Sequence, residues 1–170
     1  QFCVKGFQQI EGVDYFETYS PIVSWMTVRL IFTISIILNL ESVQVEYTAA
    51  FPQAPLTDDV YVSMPRGFKK ENKVYKLKRN LYGLKQAGRE WAMLFAEFLV
   101  SWGLIRSTVD VCLYTYTRNG SILWVLIYVD DALIADNDSA LRDRFVHDLG
   151  ERFPVEDKGE LHWILNVAVH

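Results

Sequence analysis

Cysteine, histidine and long apolar runs are all scarce in this chain of 170 residues, and each scarcity closes off a class of function. Cys3 and Cys112 stand alone without CxxC spacing, and His147, His162 and His170 are scattered. This excludes a disulfide framework and a zinc motif, and it fits a reducing compartment. The longest apolar stretch, residues 28–40, is interrupted by Arg29, Thr33, Ser35 and Asn39, so it is too short and too polar to span a bilayer. No secretory pattern opens the chain, and no repeats or low-complexity linkers divide it. Its start at Gln1 and its unfinished last strand lead us to expect a piece of a longer polypeptide. Hydrophobic residues still make up 51% and aromatics 14%, enough for one well-packed domain or two lobes of one. With a mean hydropathy of +0.08, some apolar surface is left to face something outside this chain.

Charge is short overall but not evenly spread. The net charge is −4, yet residues 66–89 hold nine basic side chains (Arg66, Lys69, Lys70, Lys73, Lys76, Lys78, Arg79, Lys85 and Arg89) against Glu71 alone. That local balance of +8 leaves −12 on the rest of the chain. Such asymmetry places a surface suited to a polyanion beside an acidic remainder, although a solvated lysine-rich hairpin has the same composition.

The chain is organised around residues 122–135. An apolar run, Ile122 to Ile127, leads into Tyr128-Val129-Asp130-Asp131, and a second run, Ala132 to Ala135, follows. β-Branched and aromatic residues on both sides favour extended backbone, and so short a break predicts a hairpin with the two carboxylates at its tip. Aspartate also suits turns for purely conformational reasons, so the pair alone does not define a site.

Around this hairpin the pattern predicts an α+β domain, an antiparallel sheet with helices packed on one face. A short strand is expected over residues 1–7. Ser24 should cap a helix reaching Asn39 and buried nearly all round. Alternation predicts a strand over residues 42–47, with Glu46 on the face opposite Val43 and Val45. Two more strands are expected over residues 60–64 and 74–79, then a long helix over 87–102 ended by Gly103 in the left-handed region. A strand over 112–117 should turn at Asn119-Gly120, Ser139 should cap a helix to Glu151, and a last strand is expected over 161–169.

Glu46 on one strand and Asp130-Asp131 on a hairpin would supply oxygen ligands for two-metal nucleotidyl transfer, provided the strands are neighbours. Tyr128-Val129-Asp130-Asp131 resembles the YxDD element of reverse transcriptases. Nearly the whole chain resembles the reverse transcriptase domain of copia-type LTR retrotransposons. The supporting blocks occur in the family's order: Val4-Lys5-Gly6-Phe7-Gln8-Gln9 and residues 12–21 at the start, Val60-Tyr61-Val62 with Met64-Pro65-Arg66-Gly67-Phe68 in the centre, then residues 80–87 with Arg89 and Trp91.

The resemblance implies a palm with partial fingers over residues 1–170, truncated at both ends, and no thumb, RNase H or integrase sequence. It implies an RNA-directed DNA polymerase, a nucleotidyltransferase that joins deoxynucleoside triphosphates to a primer on an RNA or DNA template. The ligands of two Mg²⁺ ions, with Mn²⁺ as a more tolerant substitute, would be Glu46, Asp130 and Asp131. Phe51 would be the aromatic gate against a ribose 2′-hydroxyl, though a core phenylalanine would look the same. Gly83, Lys85, Gln86 and Tyr128 would line the substrate side, and the basic residues from Arg66 to Arg89 would hold nucleic acid. Partner domains of the polyprotein, an intracellular, cytoplasmic particle and no membrane are implied with it. The chain departs from the family at Glu46, where the family has Asp, and at Gly88, Val111, Asn166 and Ala168. A copy with impaired catalysis is therefore expected, and the alternatives are a non-catalytic nucleic-acid-binding remnant and a purely structural one.

Overall fold

The computed structural model describes residues 3–65, 67–68, 72–160, 163–164 and 167–168. Arg66, Lys69, Lys70 and Glu71 lie outside the described residues, as does most of the strand expected over 161–169. The chain divides into two compact units, Gln1–Ser20 with Ala50–Leu94, and Pro21–Ala49 with Phe95–His170.

The second unit is built on a six-stranded antiparallel sheet. In chain order its elements are helix α1 (Trp25–Ile37), β1 (Glu41–Tyr47), the C-terminal half of α3 (Ala87–Trp102), β4 (Ile105–Arg106), β5 (Leu113–Arg118), β6 (Ser121–Tyr128), β7 (Asp131–Asp136), α4 (Ser139–Arg152) and β8 (Val155–Glu160). The strand order is β4-β5-β6-β7-β1-β8. The two hairpins form where the sequence asks for them. Asn119 and Gly120 take φ of +52° and +86° between β5 and β6, the pair of left-handed residues that a tight hairpin turn needs. The strand expected over 161–169 is replaced, among the described residues, by two short paired strands, β9 (Trp163–Ile164) and β10 (Val167–Ala168).

Helices lie on both faces of this sheet, not on one. On one face Val28 and Ile31 of α1 join Leu126, Leu133 and Cys112 in a buried cluster. On the other, Tyr47 packs edge-on against Phe95 and Phe153, and Phe98 and Trp102 of α3 meet Phe145 of α4. The cause is legible in β6 and β7: both carry near-continuous apolar runs, and a strand with no polar face must be covered twice. The two-sided cover leaves α1 less buried than its composition predicts. Only a stripe of Thr27, Val28, Ile31 and Ser35 is buried, whereas Met26 and Ile36 are each 80% exposed.

Helix ends follow local chemistry. Ser24 caps α1, its hydroxyl accepting from the Thr27 N–H at 3.1 Å. At α4 the cap is Asp138, which accepts from the Leu141 N–H at 3.1 Å, and the expected cap Ser139 is instead the first helical residue. The carboxylate reaches the orphan donors equally well and adds a charge that favours the helix N-terminus. Gly103 takes φ of +109° just past α3.

The first unit is smaller. It holds a 3-10 turn at Gly6–Gln8 where a strand was expected, the four-residue α2 (Ala50–Gln53), the hairpin of β2 (Tyr61–Ser63) with β3 (Val74–Lys76), and the start of α3. Its core gathers Val60, Leu84 and Ala87 with Phe51, Leu56 and Leu77 packed against them.

Candidate active site

The register of the large sheet sets the site. Glu46 lies opposite Asp131 across β1 and β7, Asp131 opposite Tyr128 across β7 and β6, and Glu46 opposite Glu156 across β1 and β8. Directly opposed residues share a face, so Tyr128, Asp131, Glu46 and Glu156 form one lateral row. The adjacency that chemistry required of Glu46 and the hairpin is thus a direct strand pairing. Asp130 sits in the turn itself, and its carbonyl accepts from the Tyr47 N–H at 2.7 Å, which ties the hairpin tip to the end of β1. Val129 is held at φ of +48°, a conformation that a β-branched residue adopts only under constraint.

Like charges opposed across a sheet repel, and this row carries three carboxylates. Two neighbours offset the repulsion. Gln44, two residues before Glu46, donates from Nε2 to Asp131 Oδ1 at 3.0 Å. Lys158 on β8 places its Nζ 3.0 Å from Glu46 Oε2 and 2.8 Å from Glu156 Oε2. Burial pushes the Asp131 carboxyl above its usual value, and the charges of Glu46 and Asp130 add to this while the Gln44 hydrogen bond opposes it. The bonds to Glu156 and Glu46 push the Lys158 ammonium upward in turn. Sequence reasoning missed Gln44, Glu156 and Lys158. The alternation of Gln44 with Val45 held the signal for the first, but nothing local marks β8 as a neighbour of β1.

The donor set is right in kind for a hard divalent cation, since every candidate is a carboxylate. Its arrangement is not: among the described residues no three acidic, histidine or cysteine side chains are gathered closely enough to hold a metal ion. Glu46 is turned to Lys158 and Asp131 to Gln44.

The remaining predicted residues fall in the first unit. Phe51 stacks at a tilt on Tyr82, ring centroids 4.7 Å apart. Gly83, at φ of +97°, is approached by the chain itself: a Cβ there would come within 2.1 Å of the Val4 carbonyl oxygen. Gln86 is buried, donating to the Asp14 carbonyl at 2.9 Å and accepting from Gln9 Nε2 at 2.9 Å. Lys85 bonds the Tyr15 hydroxyl at 3.1 Å and lies over that ring. Of the basic residues, Lys76 pairs with Asp59, Arg89 with Glu17, and Arg79 donates to the Gln53 carbonyl. Lys73 and Lys78 belong to the same stretch. A buried network that sequence reasoning passed over, Glu90 accepting from Thr57 and Asn80, holds this unit together.

A sheet with a carboxylate on a central strand facing a Tyr-x-Asp-Asp hairpin defines a class. The chain belongs to the reverse transcriptase (RNA-dependent DNA polymerase) family, whose model matches residues 1–170. Reverse transcriptases as a family are nucleotidyltransferases whose chemistry uses divalent metal ions. More particularly, it is 39% identical over 170 residues to the Retrovirus-related Pol polyprotein from transposon RE1 of Arabidopsis thaliana, covering 98% of this chain and 12% of that protein. It is 36% identical over 170 residues to the corresponding polyprotein from transposon RE2 of the same plant, covering 98% of this chain and 12% of that protein. It is also 36% identical over 174 residues to that from transposon TNT 1-94 of Nicotiana tabacum, covering 99% of this chain and 13% of that protein. The chain therefore spans about an eighth of the length of these relatives. No solved structure matches it. No helix among the described residues is long and apolar enough to cross a membrane.

Proposed function

We propose that this chain is the palm and part of the fingers of a retrotransposon polymerase, adding deoxynucleoside triphosphates to a primer 3′-hydroxyl on an RNA or DNA template. In this reading Asp130, Asp131 and Glu46 are the ligands of a pair of divalent ions, and Tyr128 supports the hairpin that carries two of them. Phe51 limits the sugar that is accepted. Lys85 faces the substrate from a loop that Gly83 and Gln86 hold in place, and Lys73 and Lys78 with their basic neighbours hold nucleic acid. A thumb, an RNase H domain and an integrase would be supplied by the rest of such a polyprotein, within a cytoplasmic particle. The observation that carries the reading is the pairing of Glu46 with Asp131 beside the turn at Asp130, in a chain matched end to end by the family.

The test is addition of a single labelled nucleotide to a primer annealed to template, in Mg²⁺ and in Mn²⁺. Native protein should extend the primer, and Asp130→Asn should reduce extension at least a hundredfold, since a lost electrostatic contact in such a site costs about two orders of magnitude or more. Equal extension by both proteins would remove the carboxylates from the chemistry.

A further inference from the structure

The sheet gains one residue beside the carboxylate row. Pairing of β1 with β8 steps from Gln44 opposite Gly159 to Val45 opposite Asp157, so Lys158 has no opposite number. Gly159 next to it takes φ of +72°, which a residue with a Cβ adopts only under strain. Bulges of this kind bend the strand locally, and the residue in this one carries an ammonium on the face of Glu156. It lies 3.0 Å from Glu46 Oε2 and 2.8 Å from Glu156 Oε2, bridging two carboxylates that face each other across the strands. Glu156 lies outside the predicted catalytic set, so the lysine is held on Glu46 from a second side.

A divalent ion on Glu46 would need the oxygen that Lys158 now occupies, or would sit within a few ångström of a like charge. We propose that Lys158 is a resident cation of this site: it competes with the divalent ion for Glu46, and metal loading requires its ammonium to swing away, leaving it on Glu156. The proposal rests on Glu46 being a metal ligand. It accounts for the mismatch between a donor set suited to a hard cation and side chains already engaged elsewhere. Competition is expected to be moderate, because the Lys158 side chain is 35% and the Glu46 side chain 48% exposed. Exposed ion pairs are individually weak, and because the pair with Glu156 is kept, only the pair with Glu46 is lost on loading, which corresponds to roughly a two- to fivefold effect.

Binding of Mn²⁺, followed by the electron paramagnetic resonance of the free ion, tests this without recourse to activity. The proteins are native, Lys158→Met, Lys158→Gln, Lys158→Arg, Arg118→Met and Glu46→Gln. Arg118 ends β5 beside the Asn119-Gly120 turn, at the opposite end of β6 from the carboxylates, so its loss controls for net charge. Lys158→Met and Lys158→Gln should each bind Mn²⁺ roughly two- to fivefold more tightly than native, while Lys158→Arg and Arg118→Met should bind no more tightly than native. Equal affinities for native and both neutral variants, or the same gain from Arg118→Met, would overturn the proposal. If Glu46→Gln abolishes binding while the neutral variants match native, only the competition falls. If Glu46→Gln leaves binding unchanged, the metal reading of Glu46 falls and the proposal goes with it. Circular dichroism of each variant establishes that the fold is retained.

Discussion

Asp131 carries two structural demands at once, a half-buried position and two carboxylate neighbours. Its carboxyl is raised by burial first and by Glu46 and Asp130 next. A carboxyl with a raised value in the fold contributes stability that is fully present below the ordinary aspartate range, about 3.9, and is lost as pH rises through the raised value. Asp131→Asn should therefore raise the urea midpoint at pH 7, with the gain fading to nothing below about pH 4. A gain that stayed constant with pH would mean that charge is not the cause. Asparagine still presents an Oδ1 to Gln44, so that hydrogen bond is kept. Val129 is the second case. Its φ of +48° costs a residue with a Cβ about 1–2 kcal/mol, while glycine adds back about 0.5–1 kcal/mol of chain entropy. Val129→Gly should thus leave stability unchanged or raise it by up to about 1 kcal/mol in urea unfolding, an unusual outcome for removing a valine. The tip was legible because its chemistry is local. The strain within it was not, since valine gives no sign of a left-handed turn.

At the scale of elements, what was legible followed the range of the interaction. The α3 helix, the Asn119-Gly120 turn and the Ser24 cap are each decided within a few residues, and each is found where expected. Removing that cap by Ser24→Ala should cost about 1 kcal/mol in thermal or urea unfolding, because the Thr27 N–H loses its acceptor. Asp110 moderates the loss, since its carboxylate accepts from the Ser24 N–H and the Thr27 hydroxyl and remains to hold the first turn. Elements decided at long range were misjudged. The sequence of α1 is apolar on every side, and only the sheet determines which stripe is buried. β8, in a stretch for which the sequence predicts no element, is the edge strand that faces Glu46. Its residues Glu156-Asp157-Lys158-Gly159 look like a surface loop because a bulged, charged edge has that composition.

For the whole molecule, the charge division found in the sequence falls between the units. The described basic residues Lys73, Lys76, Lys78, Arg79, Lys85 and Arg89 all belong to the first unit, and the carboxylate row to the second. Several of those cations are already paired within their unit, so their number overstates the attraction for phosphate. A double-stranded oligonucleotide should bind with an affinity that falls steeply with salt, and removing two charges in Lys73→Ala with Lys78→Ala should lower the magnitude of the log–log slope by roughly 2. An unchanged slope would take these lysines out of the nucleic-acid contact.

The sheet also has a history in time. β1 lies between β7 and β8, yet Glu46 and Asp131 are separated along the chain by everything from α2 to β6. On a ribosome adding about 5–20 residues per second, β1 waits roughly 4–17 seconds for the strand it pairs with. Throughout that wait both of its edges are open, with Val43, Val45 and Tyr47 along one side. Such a strand invites the wrong neighbour. Misassembly during synthesis should therefore begin at β1, and a chaperone that shelters this nascent segment would act on the same strand that carries Glu46.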